Sequence, residues 1–478
     1  MAHLDEAVFY DKIYPHFQKV CTLRRPSGEE REIVEYIISY AHHLKLNTEF
    51  DDYGNIAVYR KASKGLEHHS PLLFQAHLDM VCLPDKNIFP IQPKITDGWV
   101  HTEGTTLGAD NGIGIAIILK LMSIPFEKNP PLEFLFTVSE EIGLIGASKI
   151  ETEKINISSP RLVNIDSEEI QNITVGCAGG QDMDLSIKLS LEQNSLKSAF
   201  AISVKGPGGH SGIAIHKKIP NAIKIAAEFA HKVAQNHKIA IEDFSGGAAR
   251  NAIPAEANVI LCSDNITEND LKVIAGNITD QFSELKPFHF NIDTVNAPAK
   301  TMSALSTEKI IQLIRTLPHG VVKMNPVTGG ILSSVNLAVI SMNNGVTKIL
   351  MNSRSSDEQE IKEILDSIDK ICIEFKDIQT ERGESYLGWR PNMDSELLKA
   401  TTRAFESVRG IKPGYLDIHA GLECGILMNK FPSIKEAVSI GPNLHNAHSV
   451  EEKLEISSTV EICEIIQKII SHYSKPPC

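Results

Sequence analysis

The sequence lacks the features of a membrane protein or a nucleic-acid-binding protein. No apolar run approaches the ~20 residues that cross a bilayer, and the best candidate, residues 113–121, is short and contains Lys120. Basic residues are in deficit, because 47 Lys and Arg stand against 60 Asp and Glu, which gives a net charge of −13. Nucleic acids and anionic membranes are bound by a basic excess that neutralises phosphate. We therefore expect no nucleic acid and no membrane as a partner.

Paired cysteines and a leader pattern are also missing. The eight cysteines are scattered, without a CxxC pair or a dense framework. This spacing indicates reduced thiols, not disulfides or a thiolate zinc site. The first residues do not combine a basic segment with an apolar one, so we expect no signal peptide. Together these absences predict a soluble, cytoplasmic protein.

The length and the apolar pattern predict an α/β fold in more than one domain. A chain of 478 residues exceeds a typical single domain. Residues 72–80, 132–138 and 162–165 have strand patterns, whereas residues 114–121 have the pattern of a buried helix. Strands that alternate with helices predict a three-layer α/β/α arrangement with a mostly parallel sheet.

From Met183 onward the pattern changes to an alternation of apolar and polar residues. Such alternation is typical of half-exposed strands, and it predicts a separate α+β domain with antiparallel sheets. The histidines and carboxylates that could take part in catalysis or metal binding lie on both sides of this middle block. The sequence therefore predicts one domain interrupted by another, with segments 1–182, 183–385 and 386–478.

A helix is predicted shortly after Pro26. Ser27 and Glu30 have the spacing of a capping box, in which the first side chain caps the helix and the second bonds back. Ile33 and Ile37 follow on one helical face. We expect Ser27 to cap this helix.

Five segments place a carboxylate or an imidazole beside a strand end or a glycine-rich turn. Each segment alone also fits an ordinary turn former or helix cap. In open α/β sheets, however, groups at the carboxyl ends of strands converge on one crevice. Two histidines and three carboxylates suit a pair of divalent ions, with zinc first by ligand type. The segments are His77-Leu-Asp79, Asp110-Asn-Gly, Glu140-Glu141, Asp166 and the stretch His445 to His448.

These segments resemble the metal and catalytic motifs of the M20 metallopeptidase family, in order and in spacing. Further motifs are similar to the aminoacyl-histidine dipeptidase subgroup of that family. The family motifs are His77-Leu-Asp79, Gly108-Ala-Asp110-Asn-Gly, Glu140-Glu141-Ile-Gly, Asn164-Ile-Asp166 and Ala447-His448-Ser. The subgroup motifs are Gly208-Gly-His210-Ser-Gly, Arg250-Asn-Ala-Ile-Pro, Tyr386-Leu-Gly-Trp and His419-Ala-Gly-Leu-Glu-Cys-Gly.

The resemblance implies a dinuclear metal centre. Asp110 would bridge two divalent ions, zinc first, with cobalt or manganese as alternatives. The remaining ligands would be Glu141 and His448 for one ion and His77 and Asp166 for the other. His445 competes in principle with His448, but the family motif aligns on His448. Asp110-Asn111 is similar to the position where the family carries a cis peptide bond.

Two carboxylates near the ions would have other roles by the same resemblance. Asp79 would orient His77. Glu140 would be the general base that takes a proton from the water bridging the ions and passes it to the leaving amine.

The resemblance also makes segments 1–182 and 386–478 the catalytic domain and segment 183–385 a lid. His210 would stabilise the oxyanion of the tetrahedral intermediate, although the residue alone also fits a surface turn. Arg354 would bind the substrate's C-terminal carboxylate, the alternative being a rim salt bridge. Asn251 would contact substrate or cap a turn. His419 and Glu423 receive no role from the sequence.

The function implied is a metal-dependent dipeptidase acting on Xaa-His and other dipeptides, with a small peptide as its partner. The alternatives are a related M20 amidohydrolase of the aminoacylase or carboxypeptidase type, acting on N-acyl amino acids, and a non-catalytic paralogue. A paralogue without activity would be expected to lack Glu140 or a ligand, and none is missing. The sequence leaves a homodimer open.

Overall fold

A computed structural model describes residues 2–83 and 88–475. The chain forms two compact units. Unit 1 comprises Met1–Cys177, Trp389–Asp417 and Gly421–Cys478, and unit 2 comprises Ala178–Gly388 and Ile418–Ala420. No helix among the described residues is long and apolar enough to cross a membrane.

Unit 1 is built on an eight-stranded sheet. Its four central strands run parallel. The strands Asn47–Phe50 and Ile56–Arg60 pair antiparallel, and so do Asn172–Cys177 and Glu436–Ser439. This confirms the predicted α/β fold with a mostly parallel central sheet. In sheet order the strands are Asn47–Phe50, Ile56–Arg60, Leu132–Thr137, Leu72–His77, Arg161–Asn164, Glu436–Ser439, Asn172–Cys177 and Gly414–Ile418.

Both faces of this sheet are covered, because successive strand residues point to opposite sides. Phe74 and Phe134 join one core cluster with the longer helices, whereas Leu73 and Leu135 join a second cluster with two short helices. The helices on the first face are Ala2–Lys12, Tyr14–Cys21, Arg31–His43, Ala109–Ser123, Glu396–Arg409 and Ile456–Tyr473. Those on the second face are Ile145–Lys149 and Glu423–Lys430.

A small antiparallel sheet completes unit 1. Its strands are Leu444–His445, Lys453–Glu455, Trp99–His101 and Lys94–Thr96, in that order. His445 is exposed and its ring lies 4.8 Å from the ring of Trp99. The segment that carries His445 and His448 is thereby fixed to the main body of the unit.

The predicted cap at Ser27 is wrong. The helix begins at Arg31, its N-cap is Glu30, and no side chain caps it. The Ser27 hydroxyl donates instead to Asp79 Oδ2 at 2.7 Å. A helix cap needs the hydroxyl oxygen to accept a backbone N–H, whereas this hydroxyl lies against a carboxylate and donates a charge-assisted hydrogen bond to it.

Unit 2 contains a nine-stranded sheet whose described pairings are antiparallel. Helices cover one face, where Val335, Leu337 and Met351 join the core. In sheet order the strands are His289–Val295, Ser198–Lys205, Glu256–Ser263, Ala240–Gly246, Ile331–Asn343, Val346–Ser355, Gly179–Lys188 and Ile378–Tyr386, with Gly320–Met324 also paired to Ile331–Asn343.

The remaining elements of unit 2 are four helices and two strand pairs. The helices are Ala222–Asn236, Glu268–Gln281, Ala304–Thr316 and Glu358–Phe375. The strand pairs are Leu191–Gln193 with Lys300–Met302, and Gly209–His210 with Ala252–Ile253. On the sheet face opposite the core, Ser334 and Asn336 are buried polar residues.

Two helix glycines should respond to alanine in opposite directions. A Cβ at Gly114 would lie 2.1 Å from Asn111 Oδ1 and 2.5 Å from the Ile165 carbonyl oxygen, whereas one at Gly276 meets nothing within 4 Å. We expect G114A to destabilise the protein by about 1–3 kcal/mol through overpacking. G276A should stabilise it by up to about 1 kcal/mol through helix propensity.

Thermal unfolding followed by circular dichroism checks both variants against the unchanged protein. An unchanged or raised midpoint for G114A would show that the helix and the Ile165 segment can separate without cost. Such a result would contradict the close packing of this helix.

Candidate metal centre

The predicted ligands meet at one edge of the unit 1 sheet. His77 ends the strand Leu72–His77, the two glutamates follow Leu132–Thr137, and Asp166 follows Arg161–Asn164. These strands are parallel neighbours, so their carboxyl ends lie side by side. The helix Ala109–Ser123 supplies Asp110 from its first turn.

Asp110 lies between the two histidines. Its Oδ1 is 3.0 Å from His77 Nε2, and its Oδ2 is 3.0 Å from His448 Nε2. Asp166 Oδ1 lies 3.3 Å from His77 Nε2, and Glu141 Oε1 lies 2.9 Å from His448 Nε2. Each imidazole therefore faces one oxygen of Asp110 and one oxygen of a second carboxylate.

This arrangement fits two divalent ions. His77, Asp110 and Asp166 can bring one donor atom each within 4.8 Å of one another, and so can Asp110, Glu141 and His448. Neighbouring ligand atoms on a tetrahedral zinc ion are about 3.3 Å apart, given Zn–N and Zn–O bonds of about 2.0–2.1 Å. Glu141 Oε1 is buried and makes no hydrogen bond of acceptable geometry, despite its nearness to His448. A buried oxygen without a hydrogen bond is expected where that oxygen binds a metal ion.

Asp79 is the side chain that organises the centre. It is fully buried, and its Oδ1 lies 3.3 Å from His77 Nδ1. The same carboxylate accepts the backbone N–H groups of Glu140 at 2.9 Å and Glu141 at 3.1 Å. Donation from Nδ1 leaves the Nε2 lone pair of His77 available for a ligand. One carboxylate thus orients a histidine and fixes the backbone of both glutamates.

The pKa of Asp79 reflects these bonds. Burial raises it, but the hydrogen bond and charge of His77, with the bonds from Ser27 and Glu140, outweigh burial and lower it to about 2. The carboxylate stays ionised at neutral pH. It therefore remains an acceptor for all its donors.

A second buried carboxylate holds the turn before the glutamates. Ser139 has a left-handed backbone with φ of 52°. Its N–H and its hydroxyl both donate to Glu30 Oε1, at 2.8 and 2.9 Å. Left-handed backbone is unfavourable for a residue with a Cβ, so Glu30 supplies the compensation that keeps Glu140 and Glu141 in place.

Two buried residues of opposite charge, Glu452 and Arg25, hold the turn that carries Asp110. Glu452 accepts the N–H groups of Gly108, Ala109 and Asp110 at 2.9, 2.7 and 3.2 Å. Arg25 is also fully buried, and it donates to the carbonyls of Leu78, Asp79 and Gly108. The Asp110–Asn111 peptide is cis, as the resemblance implied.

Glu140 lies beside these ligands and could reach His77 and Glu141 within the same 4.8 Å limit. Burial raises the pKa of its carboxyl well above the ordinary value, and the charges of Asp166, Glu423 and Glu141 add to the rise while His77 opposes it. A raised pKa makes a carboxylate a better proton acceptor near neutral pH.

The pKa values of the two histidines are also raised, but by neighbouring carboxylates and against the effect of burial. Burial lowers the pKa of His77, but the charge of Asp166 and the hydrogen bonds of three carboxylates raise it well above the ordinary value. The hydrogen bonds of Asp110 and Glu141 raise the pKa of His448, which is nearly half exposed, to about 11. Carboxylates packed this closely attract protons or cations, and divalent ions satisfy that demand.

Sequence reasoning missed the residues that support the ligands. Arg25 and Glu30 lie far from the ligands along the chain, and no local pattern links either one to them. Glu452 lies four residues after His448, but the sequence assigns it no role. No signal in the sequence marks them, because Arg25, Glu30 and Glu452 each stand beside other charged residues.

The other predicted site residues belong to unit 2. His210 Nδ1 accepts the N–H groups of Gly212 and Ile213 at 3.1 and 3.3 Å, so a neutral ring carries its hydrogen on Nε2. Ser211 N–H donates to the Asn251 carbonyl at 2.8 Å, and the Asn251 side chain is exposed. Arg354 is 7% exposed, and its Nη1 donates to the Tyr386 hydroxyl at 2.8 Å.

Comparison with known proteins gives consistent relatives. The cytosol non-specific dipeptidase of Escherichia coli (strain K12) is 32% identical over 477 residues, covering 95% of this chain and 96% of that protein. The crystal structure of aminoacylhistidine dipeptidase from Vibrio alginolyticus has a TM-score of 0.86 at 29% identity, over 96% of both chains. Aminopeptidase PepT from Bacillus cereus ATCC 10987 shares the fold, with a TM-score of 0.57 at 17% identity, over 97% of this chain and 99% of that chain.

The family assignment rests on a match that spans most of the chain. A family model described as Peptidase family M20/M25/M40 matches residues 73–472. The match includes all five predicted ligands and Glu140. The protein belongs to peptidase family M20/M25/M40.

Proposed function

We propose that this protein is a cytoplasmic dipeptidase that uses two divalent ions, zinc first, to hydrolyse Xaa-His and other dipeptides. The observation that carries the proposal is the placement of Asp110 between His77 and His448, each facing a different carboxylate oxygen. The relatives named as a cytosol non-specific dipeptidase and an aminoacylhistidine dipeptidase support the substrate class and the location.

The chemistry divides between the ions and the protein's own groups. Two divalent ions, when bound, would lower the pKa of a shared water and polarise the scissile carbonyl. Glu140 accepts one proton from the attacking water as its oxygen bonds to the carbonyl carbon. Glu140 then gives that proton to the amide nitrogen as the C–N bond breaks. Asp79 keeps the backbone of Glu140 in position through both steps.

Unit 2, which we propose to be the lid, supplies the groups that recognise the peptide. Burial lowers the pKa of His210, and the charge of Arg354 lowers it further. A neutral His210 with its hydrogen on Nε2 can donate to the developing oxyanion. Arg354 has a buried Nε without a hydrogen-bond partner. A guanidinium with an unused donor suits the C-terminal carboxylate of a peptide.

Activity should depend on divalent ions. We expect chelation to abolish dipeptide hydrolysis, and zinc, cobalt or manganese to restore it, because borderline divalent ions prefer imidazole and carboxylate donors. Hydrolysis of β-alanyl-histidine, with metal content measured by elemental analysis, checks this. Full activity in a sample free of these metals would refute the metal-dependent mechanism.

Glu140→Gln should separate proton transfer from metal binding. We expect kcat to fall about 100- to 10,000-fold, because glutamine keeps the shape of the side chain but accepts no proton. The metal content should stay unchanged, whereas Glu141→Gln, the matched neighbour, should lose metal. Loss of metal from the first variant and retention in the second would exchange the two roles.

Arg354→Ala should damage recognition of the free C-terminus. A charge-assisted contact to a carboxylate is worth on the order of 2–4 kcal/mol, so kcat/KM for a dipeptide should fall about 30- to 1,000-fold. The C-terminal amide of the same dipeptide should lose much less. The control is Arg382→Ala, because Arg382 pairs with Asp366 and Asp369 in a surface position of unit 2. If the unchanged enzyme cleaved acid and amide equally well, the carboxylate contact would be disproved.

A further inference from the structure

Three residues of the last part of the chain belong to unit 2, although the residues on either side belong to unit 1. These residues are Ile418–Ala420. The Ala178 N–H donates to the carbonyls of Ile418 and Ala420, at 2.9 and 3.1 Å. At Gly212 a Cβ would lie 2.3 Å from the His419 carbonyl oxygen and 3.1 Å from His210 Cε1. The backbone of His419 is thus packed against the turn that carries His210.

The side chain of His419 reaches the sheet of unit 2 beside Arg354. Its Nε2 lies 2.6 Å from the Ser334 hydroxyl. Ser334 and Arg354 are direct partners on the antiparallel strands Ile331–Asn343 and Val346–Ser355. Directly opposite residues project to the same face, with Cβ atoms about 4.5–5.5 Å apart. His419, Ser334 and Arg354 therefore form one polar group on the face opposite the core of unit 2.

This polar group contains two buried nitrogens that lack a hydrogen bond of good geometry. These atoms are Arg354 Nε and His419 Nδ1. Each of these residues is only 7% exposed. Arg354 has no carboxylate partner among the described side chains. An unpaired buried cation is costly, and a buried donor without an acceptor is costly too. An anion would satisfy both.

The ring of His419 is neutral at physiological pH. Burial lowers its pKa, the charge of Arg354 lowers it further, and His216 adds to this effect while the Ile331 carbonyl opposes it, which leaves the pKa at about 4. In the tautomer with the ring hydrogen on Nδ1, which is part of the inference below, the Ser334 hydroxyl donates to Nε2 at 2.6 Å.

We infer that His419 is a specificity-determining residue that donates from Nδ1 to the substrate's C-terminal carboxylate, alongside Arg354. The inference rests on the proposed function for the nature of the substrate. It assigns a role to a motif residue that the sequence left without one. Ser334 is a positioning residue in this arrangement, because it acts on the carboxylate only through the ring of His419.

Three substitutions of His419 separate the two ring nitrogens. Glutamine places its amide near Nε2 and keeps the bond to Ser334, whereas asparagine places an N–H near Nδ1. We expect H419Q and H419A to lower the preference for a dipeptide over its C-terminal amide about 10- to 100-fold, the size of one lost bond to a charged group. The loss should lie mainly in KM. H419N should keep more of the preference than H419Q.

Neighbouring serines provide the matched control. S334A should lower the same preference by a smaller factor, because the ring loses its anchor but not its donor. Ser333 is buried as well, but it projects from the opposite face of the strand, where its hydroxyl faces Glu360. S333A should leave the preference unchanged. An equal loss in S333A would mean that the effect comes from a disturbed strand, and the inference would be overturned.

Binding measured without turnover distinguishes the inference from the proposed function. Calorimetric titration with N-acetylalanine and with N-acetylalanine amide reports carboxylate recognition alone. Preference for the acid that disappears in H419Q supports the inference even if the enzyme cleaves no dipeptide, in which case the proposed function fails by itself. An acid preference that is the same in H419Q and the unchanged protein overturns the inference.

Discussion

The carboxylate of Asp79 is the constraint on which the centre of unit 1 depends. It connects the ring of His77 to the backbone of Glu140 and Glu141, so these three residues cannot move independently. Because Asp79 is fully buried, water cannot replace these bonds when one is lost. A substitution of Asp79 would release the residues at the ends of two neighbouring strands at once. The Ser27 hydroxyl adds a fourth donor, from the turn between the helices Tyr14–Cys21 and Arg31–His43.

Buried charge is used twice more to shape backbone, not to make ion pairs. Glu452 accepts hydrogen bonds from backbone N–H groups around Gly108, and Arg25 donates to backbone carbonyls there. These bonds fix the position of Asp110. Glu30 accepts two hydrogen bonds from Ser139 and so stabilises the strained turn there. Desolvating such charges is expensive, and the cost is tolerated where a precise backbone position is needed. The stability of this region is therefore tied to the geometry of the candidate metal centre.

The two units differ in the character of their buried polar groups. The centre of unit 1 is rich in carboxylates and attracts cations. The polar face of unit 2 around Arg354 offers donors, and the groups that shift the pKa of His419 include no carboxylate. A peptide has a carbonyl that reacts at a cationic centre and a carboxylate that needs donors. Under the proposed function, the charge of each unit suits one of these two needs.

The sequence by itself determined the α/β class, the family and the segments that meet at the candidate metal centre, because strand ends and glycine-rich turns are local patterns. It predicted a helix after Pro26 but not the role of Ser27, since the acceptor Asp79 is distant in sequence. Likewise, no local pattern relates His419 to Ser334 and Arg354. Strand register places Ser334 opposite Arg354, and His419 reaches them because Ile418–Ala420 belongs to unit 2. The tertiary structure alone decided which buried charges support the site, because a buried charge is explained by its partners, and partners are a property of the fold.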